Sequence, residues 1–590
     1  MASHISAIRS LVFMLVLGSA CSAGEDALTG GSSAQGGSGG AGGGFGVGGG
    51  PSGTGGGPLC GPRCTLDAKT VLECDGAEIA TCGAGELCDL TVGACRPACT
   101  AAKNNKSSVG CEYYSVFLDS YVGEQACYVA IVANTSELSA HVDVTYEGAA
   151  IDLASFGFIP VGSGPDLELT PFDPAEGLAP SEALLVFLSG LFGDAGPRCR
   201  IPSALPTGVQ VHARSGIGSA FHITTDVPVV AYQINPFGGA SAAVTGSSLL
   251  LPTSAWDTTY LGLGPPSAFD ADLGPMVNIV AMEDQTEVEV RFRSGWTMGG
   301  GGISPGEPGT PAKVLLNRGQ HAQILTSSEM TGNAIIANKP VGVFTGAPCF
   351  NLPTSTAACD HVEQMVPPGF AFASEAVGVM PRPRGFEDGY FRVVALADGT
   401  ELSYSTDVGG PMSLDAGRSQ MFATEEPFVV RSQDEEHPFV LISHMSGGDT
   451  PGVNGAGDPE MVLVTPPAQF LERYVFFADP TYSESTIVVI REKEDGVFKP
   501  VMLDCAGEID GFIPVGEYEW ARVDLTTGDF EGVRGCSSGR RVIESEAPFG
   551  VSVWGWATPE FSPPGYASYG YPAGMNVRQV NQVPIVESPE

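Results

Sequence analysis

Fifteen cysteines are the most reactive residues of this 590-residue chain, and their spacing divides them into groups with different jobs. Cys21 stands alone behind an apolar run, LVFMLVL at 11–17, and the small residues Gly18-Ser19-Ala20. Seven apolar residues reach only about 10 Å as helix against roughly 30 Å of hydrocarbon, so the run reads as an export signal and not as a span. A thiol directly after small residues has the form of a lipidation site. The usual Leu three places before it is Gly18 here, with Leu17 one place further back. The competing reading is an ordinary cleaved signal with an incidental cysteine. Parity favours the lipid: setting Cys21 aside leaves an even number of thiols, as an exported disulfide-bonded chain needs.

Eight of the rest crowd into a short module: Cys60, Cys64, Cys74, Cys82, Cys88, Cys95, Cys99 and Cys111. The other six are Cys127, Cys199, Cys349, Cys359, Cys505 and Cys536. Cys349 with Cys359 and Cys505 with Cys536 are the close pairings, which leaves Cys127 for Cys199. Outside the cytosol such spacing favours crosslinks over zinc, so no metal is assigned.

The other reactive side chains form no recognisable constellation. The sequence lacks G-x-S-x-G, H-E-x-x-H, G-x-x-x-x-G-K-[ST] and C-x-x-C-H, and no catalytic residue is assigned. None of the eight His forms a ligand pair at i, i+4. His361, in Cys359-Asp360-His361, is the best polar candidate, and beside a disulfide it reads as a loop tie. No spacing among the many Asp and Glu selects a hydrolytic pair. Trp554-Gly555-Trp556 puts two rings on one side of a strand, either to stack on a sugar or to fill a core; core is the preferred reading.

The elements that carry these residues are strands. Acidic residues number 67 against 28 basic, a net charge of −39. That balance excludes nucleic acid as a partner, since phosphate neutralisation needs Lys and Arg, and it leaves the membrane reachable only through a lipid. Acidity reads first as solubility; calcium is the sharper alternative, but no D-x-D-x-D-G loop supports it. No cofactor is implied. Residues 1–20 are the signal, and 21–59 hold the lipidated Cys and a Gly/Ser-rich tether that cannot bury apolar surface. Residues 60–110 form a disulfide module too small to hold itself by burial. Beyond it, β-rich runs bounded by turn residues make an all-β class.

A repeat organises 111–590. Pro228, Pro340, Pro438 and Pro548 each precede an apolar strand and follow a short one, which together read as a hairpin. VAMEDQTEV at 280–288 matches VALADGTEL at 394–402, with hairpin-turn chemistry between the runs. Each unit ends in an apolar-Pro exit. Approximate units are 111–250, 251–365, 366–465 and 466–590, about the length of one small β-sandwich each. Tandem or fused β-sandwich repeats are therefore expected, with a propeller-like arrangement as the alternative.

CEYY at 111–114, FHITTDVPVVAYQINPF at 221–237 and KPVGVFTGAPCFNLPTSTAACDHVEQMVPP at 339–368 resemble the N-terminal domain of the IgGFc-binding protein family. The resemblance runs from about 111 to 584 and is densest between 220 and 370; the fourth unit departs most, lacking the Asp-x-Thr turn. Together with the lipobox-like Cys21, it implies a bacterial surface lipoprotein of the outer membrane or cell surface. It further implies a non-enzymatic module that recognises an extracellular protein or glycan through loops between strands. The alternatives are an exported polysaccharide hydrolase and a purely structural envelope protein.

Overall fold

The repeated proline marks a corner. In the computed structural model, residues 61–65, 68–266, 274–356 and 358–585 are described. Cys21, Cys60 and the tether lie outside them. The proline belongs to the sixth of seven strands common to the four repeats, lying within it in the first, second and fourth and just before its second piece in the third. That strand spans Phe221–Asn235, Ala334–Phe350 and Gly539–Trp556, and in the third repeat it is divided into Phe428–Ser432 and Phe439–Met445.

This strand belongs to two layers. Its first half pairs on one side with the first strand of its repeat: Gly110–Ser115, Asp257–Leu261, Glu375–Gly378 or Leu471–Ala478. On the other side it pairs with the third strand: Val142–Tyr146, Thr286–Arg291, Thr400–Tyr404 or Val501–Leu503. Beyond the proline it changes partners. There it lies between the second strand (Tyr128–Asn134, Met276–Ala281, Gly389–Ala395, Glu484–Arg491) and the seventh (Gly246–Leu250, Asp360–Met365, Glu460–Leu463, Ser568–Pro572). The fifth strand (Ala183–Ser189, Gln320–Leu325, Ser419–Thr424, Tyr518–Thr527) extends that second layer. Short fourth strands pair with the third.

The register at the corner is the same four times. Val229, Val341, Phe439 and Phe549, each one residue past its proline, face the last residue of the second strand: Asn134, Ala281, Ala395 and Arg491. Proline has no N–H, and a corner is where the ladder loses nothing by that. The two strands around it are therefore not a hairpin: they never pair with each other, and the chain passes from one sheet to the other. Two residues precede the proline at the corner of the first, second and fourth repeats, after Thr225, Ala337 and Ser545, and the strand stays continuous. Five precede it in the third, after Ser432, and there the strand breaks and the layers become two separate four-stranded sheets.

The matching turn segments sit between the second and third strands. Thr286 and Thr400 donate equivalent bonds, to Glu283 O and Ala397 O, fastening the turn. The fourth repeat replaces this turn with an extra hairpin, Lys493–Glu494 with Val497–Phe498, which explains its departure in sequence. The run at 181–191, helix-like in its apolar spacing, contains a fully buried strand.

The four sandwiches are fused around one axis. Each seventh strand packs on the seventh strands of both neighbours, in the order first, second, third, fourth and back to the first. One apolar core spans the first and fourth repeats, and another joins the second to the outer face of the third. The layout is radial, as in the propeller alternative, but the repeated element is a two-layer sandwich. Ser108 N–H donates to Met575 O and Val577 N–H to Lys106 O, so the end of the fourth repeat closes on the start of the first. The module before it is stapled by Cys64–Cys88 and Cys82–Cys95, and Cys99–Cys111 ties its helix (Ala98–Asn105) to the first strand of the ring. Further bonds join Cys127–Cys199, Cys349–Cys359 and Cys505–Cys536, in the first, second and fourth repeats.

Candidate functional site

Two regions carry residues in excess of what packing needs: the axis, and one face of the ring. The axis is polar. Asp360 and His361 begin the seventh strand of the second repeat and Glu363 follows them; Glu460 begins that of the third, with Asp458 two residues before it, and all are buried. His361 Nδ1 faces Ala347 O at 3.1 Å and must donate to it, so the 2.9 Å contact of Nε2 with Glu363 Oε2 shares a single proton. Gln233 of the first repeat donates to Glu363 Oε1 at 3.0 Å and accepts from Tyr128 and Ser115. Ser568 of the fourth repeat donates to Asp458 O at 2.6 Å, and its own carbonyl accepts from Thr245. Gln364 bridges Ser247 O and Gly570 O, both at 3.0 Å. Side-chain bonds at the axis thus tie all four repeats together.

Burial sets the charge there. It pushes the Asp360 carboxyl well up, helped by Asp458 and Glu460, and does the same to Glu460. Asp458 is pushed up to about 7, again chiefly by burial. The acids therefore hold their protons where an exposed carboxyl would have released them. Among the described residues no group of three or more His, Cys, Asp or Glu side chains is disposed to hold a metal ion. His361 and Glu363 have no solvent contact, so they cannot touch an external substrate. The ring bonds of His361 tie neighbouring strands of its own repeat, and a 3.4 Å contact with Asn235 Nδ2 reaches the first. An apolar cleft between the third and fourth repeats, lined by Val377, Val462, Phe470, Val488, Val551 and Trp554, has no titratable side chain in its wall.

The face is the opposite case. In the third repeat Gly389 pairs with Thr424, Tyr390 with His444 and Met445 with Glu460. Only 425–427 separate the fifth strand from the sixth, whose Phe428 pairs with Gly378. These registers gather the loops after the first, third, fifth and sixth strands at one end of the sandwich. The seventh strands all begin at that same end of the axis, so the four loop ends share one face. Five aromatic side chains are exposed among the described residues: Tyr121, Phe192, Trp296, Phe386 and Phe561. Every one lies in those loops, and Phe386 is 95% exposed. Met298 and Met412 join them. Trp296 and Met298 project from a glycine-rich loop whose Gly299, Gly301 and Gly302 adopt positive φ. Gly301 packs against the Gly216 backbone, where a Cβ would come within 2.9 Å, so the loop is held in place rather than loose.

The family model described as IgGFc binding protein matches residues 246–555, from the seventh strand of the first repeat into the sixth of the fourth. The chain belongs to the IgGFc-binding protein family. Human IgGFc-binding protein is 25% identical over 289 residues, which is 48% of this chain but 5% of that protein. The family match covers the second and third repeats and most of the fourth, and of the exposed aromatics it includes Trp296 and Phe386. No helix among the described residues is long and apolar enough to cross a membrane.

Among the sequence candidates, Trp554 and Trp556 are core, with Trp554 Nε1 bonded to Ser552 Oγ and Arg382 stacked over Trp556. Sequence reasoning found Asp360 and His361 but missed Glu363, Asp458 and Glu460. The signal was present: DHVEQMVPP at 360–368 and DPEMVLVTPP at 458–467 both place two acids ahead of the Pro exit. The exposed aromatics were also missed, although Trp296, Phe386 and Phe192 each adjoin a glycine.

Proposed function

We propose that this chain is an exported binding protein, held at the outer membrane or cell surface by lipid on Cys21, which engages an extracellular protein through the loop face. The observation that carries this reading is the confinement of the five aromatics exposed among the described residues to one end of the fused sandwiches. Aromatic side chains on rigid loops give large contact area at low entropic cost, the usual make-up of binding hot spots. Membership of a family named for binding supports it. The acidic axis, which has no solvent contact, offers no route to polysaccharide hydrolysis.

The test is capture by the full chain from an array of extracellular proteins, mucins and glycans, with immunoglobulin Fc, for which the human relative is named, as one arm. Retention of a protein should be lost when Tyr121, Phe192, Trp296, Phe386 and Phe561 are changed together to Ser, with the thermal midpoint preserved. Retention indifferent to those changes, or of glycans alone, would refute the reading. Cys21→Ala should abolish labelling by a clickable fatty acid; a label that persists would remove the anchor.

A further inference from the structure

The outer edge of the fifth strand is covered in the first, second and fourth repeats and, among the described residues, bare in the third. Gly157–Val161 pairs with Ala183–Ser189 in the first repeat. Gly216–Ser219, contributed by the first repeat, pairs with Gln320–Leu325 of the second. Ile513–Val515 pairs with Tyr518–Thr527 in the fourth. All three additions are antiparallel. In the third repeat Ser419–Thr424 pairs with Gly389–Ala395 on one side and, among the described residues, with no strand on the other.

That edge is ready to pair. Ala395 N–H donates to Arg418 O, so the bonded positions toward the second strand are 418, 420, 422 and 424. The N–H and C=O groups of Ser419, Met421 and Ala423 therefore point away from it. The strand contains no Lys and no Pro, the residues that usually blunt an edge, and Gln420 and Ala423 are exposed. Phe386, the most exposed aromatic side chain of the described residues, lies three residues before Gly389, the partner of Thr424.

We propose that Ser419–Thr424 is a docking edge that takes an extended segment of a partner protein as an added antiparallel strand. The inference rests on the binding reading above and deepens it by naming how the partner is held. Charge selects the occupant. Exposed Glu425 and Glu426 follow the strand, exposed Asp388 lies near the same end, and exposed Arg418 precedes it. An antiparallel partner therefore places basic residues at its own N-terminal end and an acid at its C-terminal end. A second copy is disfavoured, because two chains each of net charge −39 repel.

The experiment is amide hydrogen exchange on the full chain with a synthetic probe, Lys-Lys-Val-Thr-Val-Thr-Val-Glu. In the free chain the amides of Ser419, Met421 and Ala423 should exchange fast. Probe at ten times its Kd should slow them about tenfold. A peptide with the end charges reversed should need a higher concentration. Ala423→Pro removes an outward N–H and no ladder bond, so it should keep the thermal midpoint and abolish the slowing. Slow exchange in the free chain would mean that the chain covers its own edge, and would overturn the proposal. Slowing that rises with protein concentration alone would assign the edge to a second copy and overturn it equally, as would slowing that survives Ala423→Pro. The probe needs no natural ligand, so failure of the array experiment sinks the loop-face reading without deciding this one. A chain with Tyr121, Phe192, Trp296 and Phe561 changed to Ser should still bind the probe.

Discussion

The third repeat and its three siblings share a strand order and differ in nearly every device that fixes it. The first, second and fourth each contain a disulfide, an unbroken sixth strand and a covered fifth strand. The third has a divided sixth strand and a bare edge, and no crosslink among the described residues. Its connections run outward instead. Arg392, 2% exposed, donates to Glu329 and to Gly264 O at 2.5 and 2.6 Å, both in the second repeat, as well as to its own Ser419. Asp458 and Glu460 place its acids on the common axis. With fewer devices of its own, the third repeat is the unit expected to open first.

The comparison can be broken first by pH. Asp360, Asp458 and Glu460 have carboxyls pushed up on folding, so the native chain holds protons that the unfolded chain releases. The stability they confer is complete below about pH 4 and is lost as pH rises through their native values, about 7 for Asp458. We expect this to be the largest effect. The thermal midpoint should fall between pH 5 and pH 9, with amides of the third repeat losing protection first. Asp458→Asn should flatten that slope, and a midpoint that instead rose with pH would contradict the buried-acid axis.

Next is Arg392→Met, which strands a buried carbonyl and a partly buried carboxylate and should cost about 3–5 kcal/mol in denaturant unfolding. A cost below 1 kcal/mol would show that the third repeat does not depend on the second. Replacing Cys505 and Cys536 together by Ala makes the fourth repeat resemble the third in lacking a crosslink. The expected cost is about 2–4 kcal/mol, with faster exchange confined to 501–545. Smallest is Phe386→Ala, which should move stability by no more than about 0.5 kcal/mol while weakening partner capture. A large loss of stability would mean that Phe386 packs against the protein instead of standing free.

The all-β class and the fourfold repeat were legible because β-rich runs and the recurring proline are local signals that return with the fold, while the Asp-x-Thr turn returns in the second and third repeats alone. Pro228 and its counterparts announce a corner by lacking an N–H, but the same lack fits the start of a hairpin strand, and only the pairing partners separate the two. Axis closure was not legible. Glu363, Asp458 and Glu460 meet through strands about a hundred residues apart, and a buried acid looks in sequence like a solvated one. The bare edge of Ser419–Thr424 was beyond reach for a different reason: its meaning comes from what covers the equivalent strand elsewhere, and in the second repeat that cover is borrowed from the first.

The helix of the disulfide module meets the ring at Thr225, whose carbonyl faces Cys99 Sγ at the proline corner, and the closing contact of 106–108 with 575–577 lies at the ends of the first and seventh strands away from the aromatic loops. The disulfide module thus packs against the end of the first sandwich opposite the loops that carry the exposed aromatics, and a large ligand meets that rim without meeting the module.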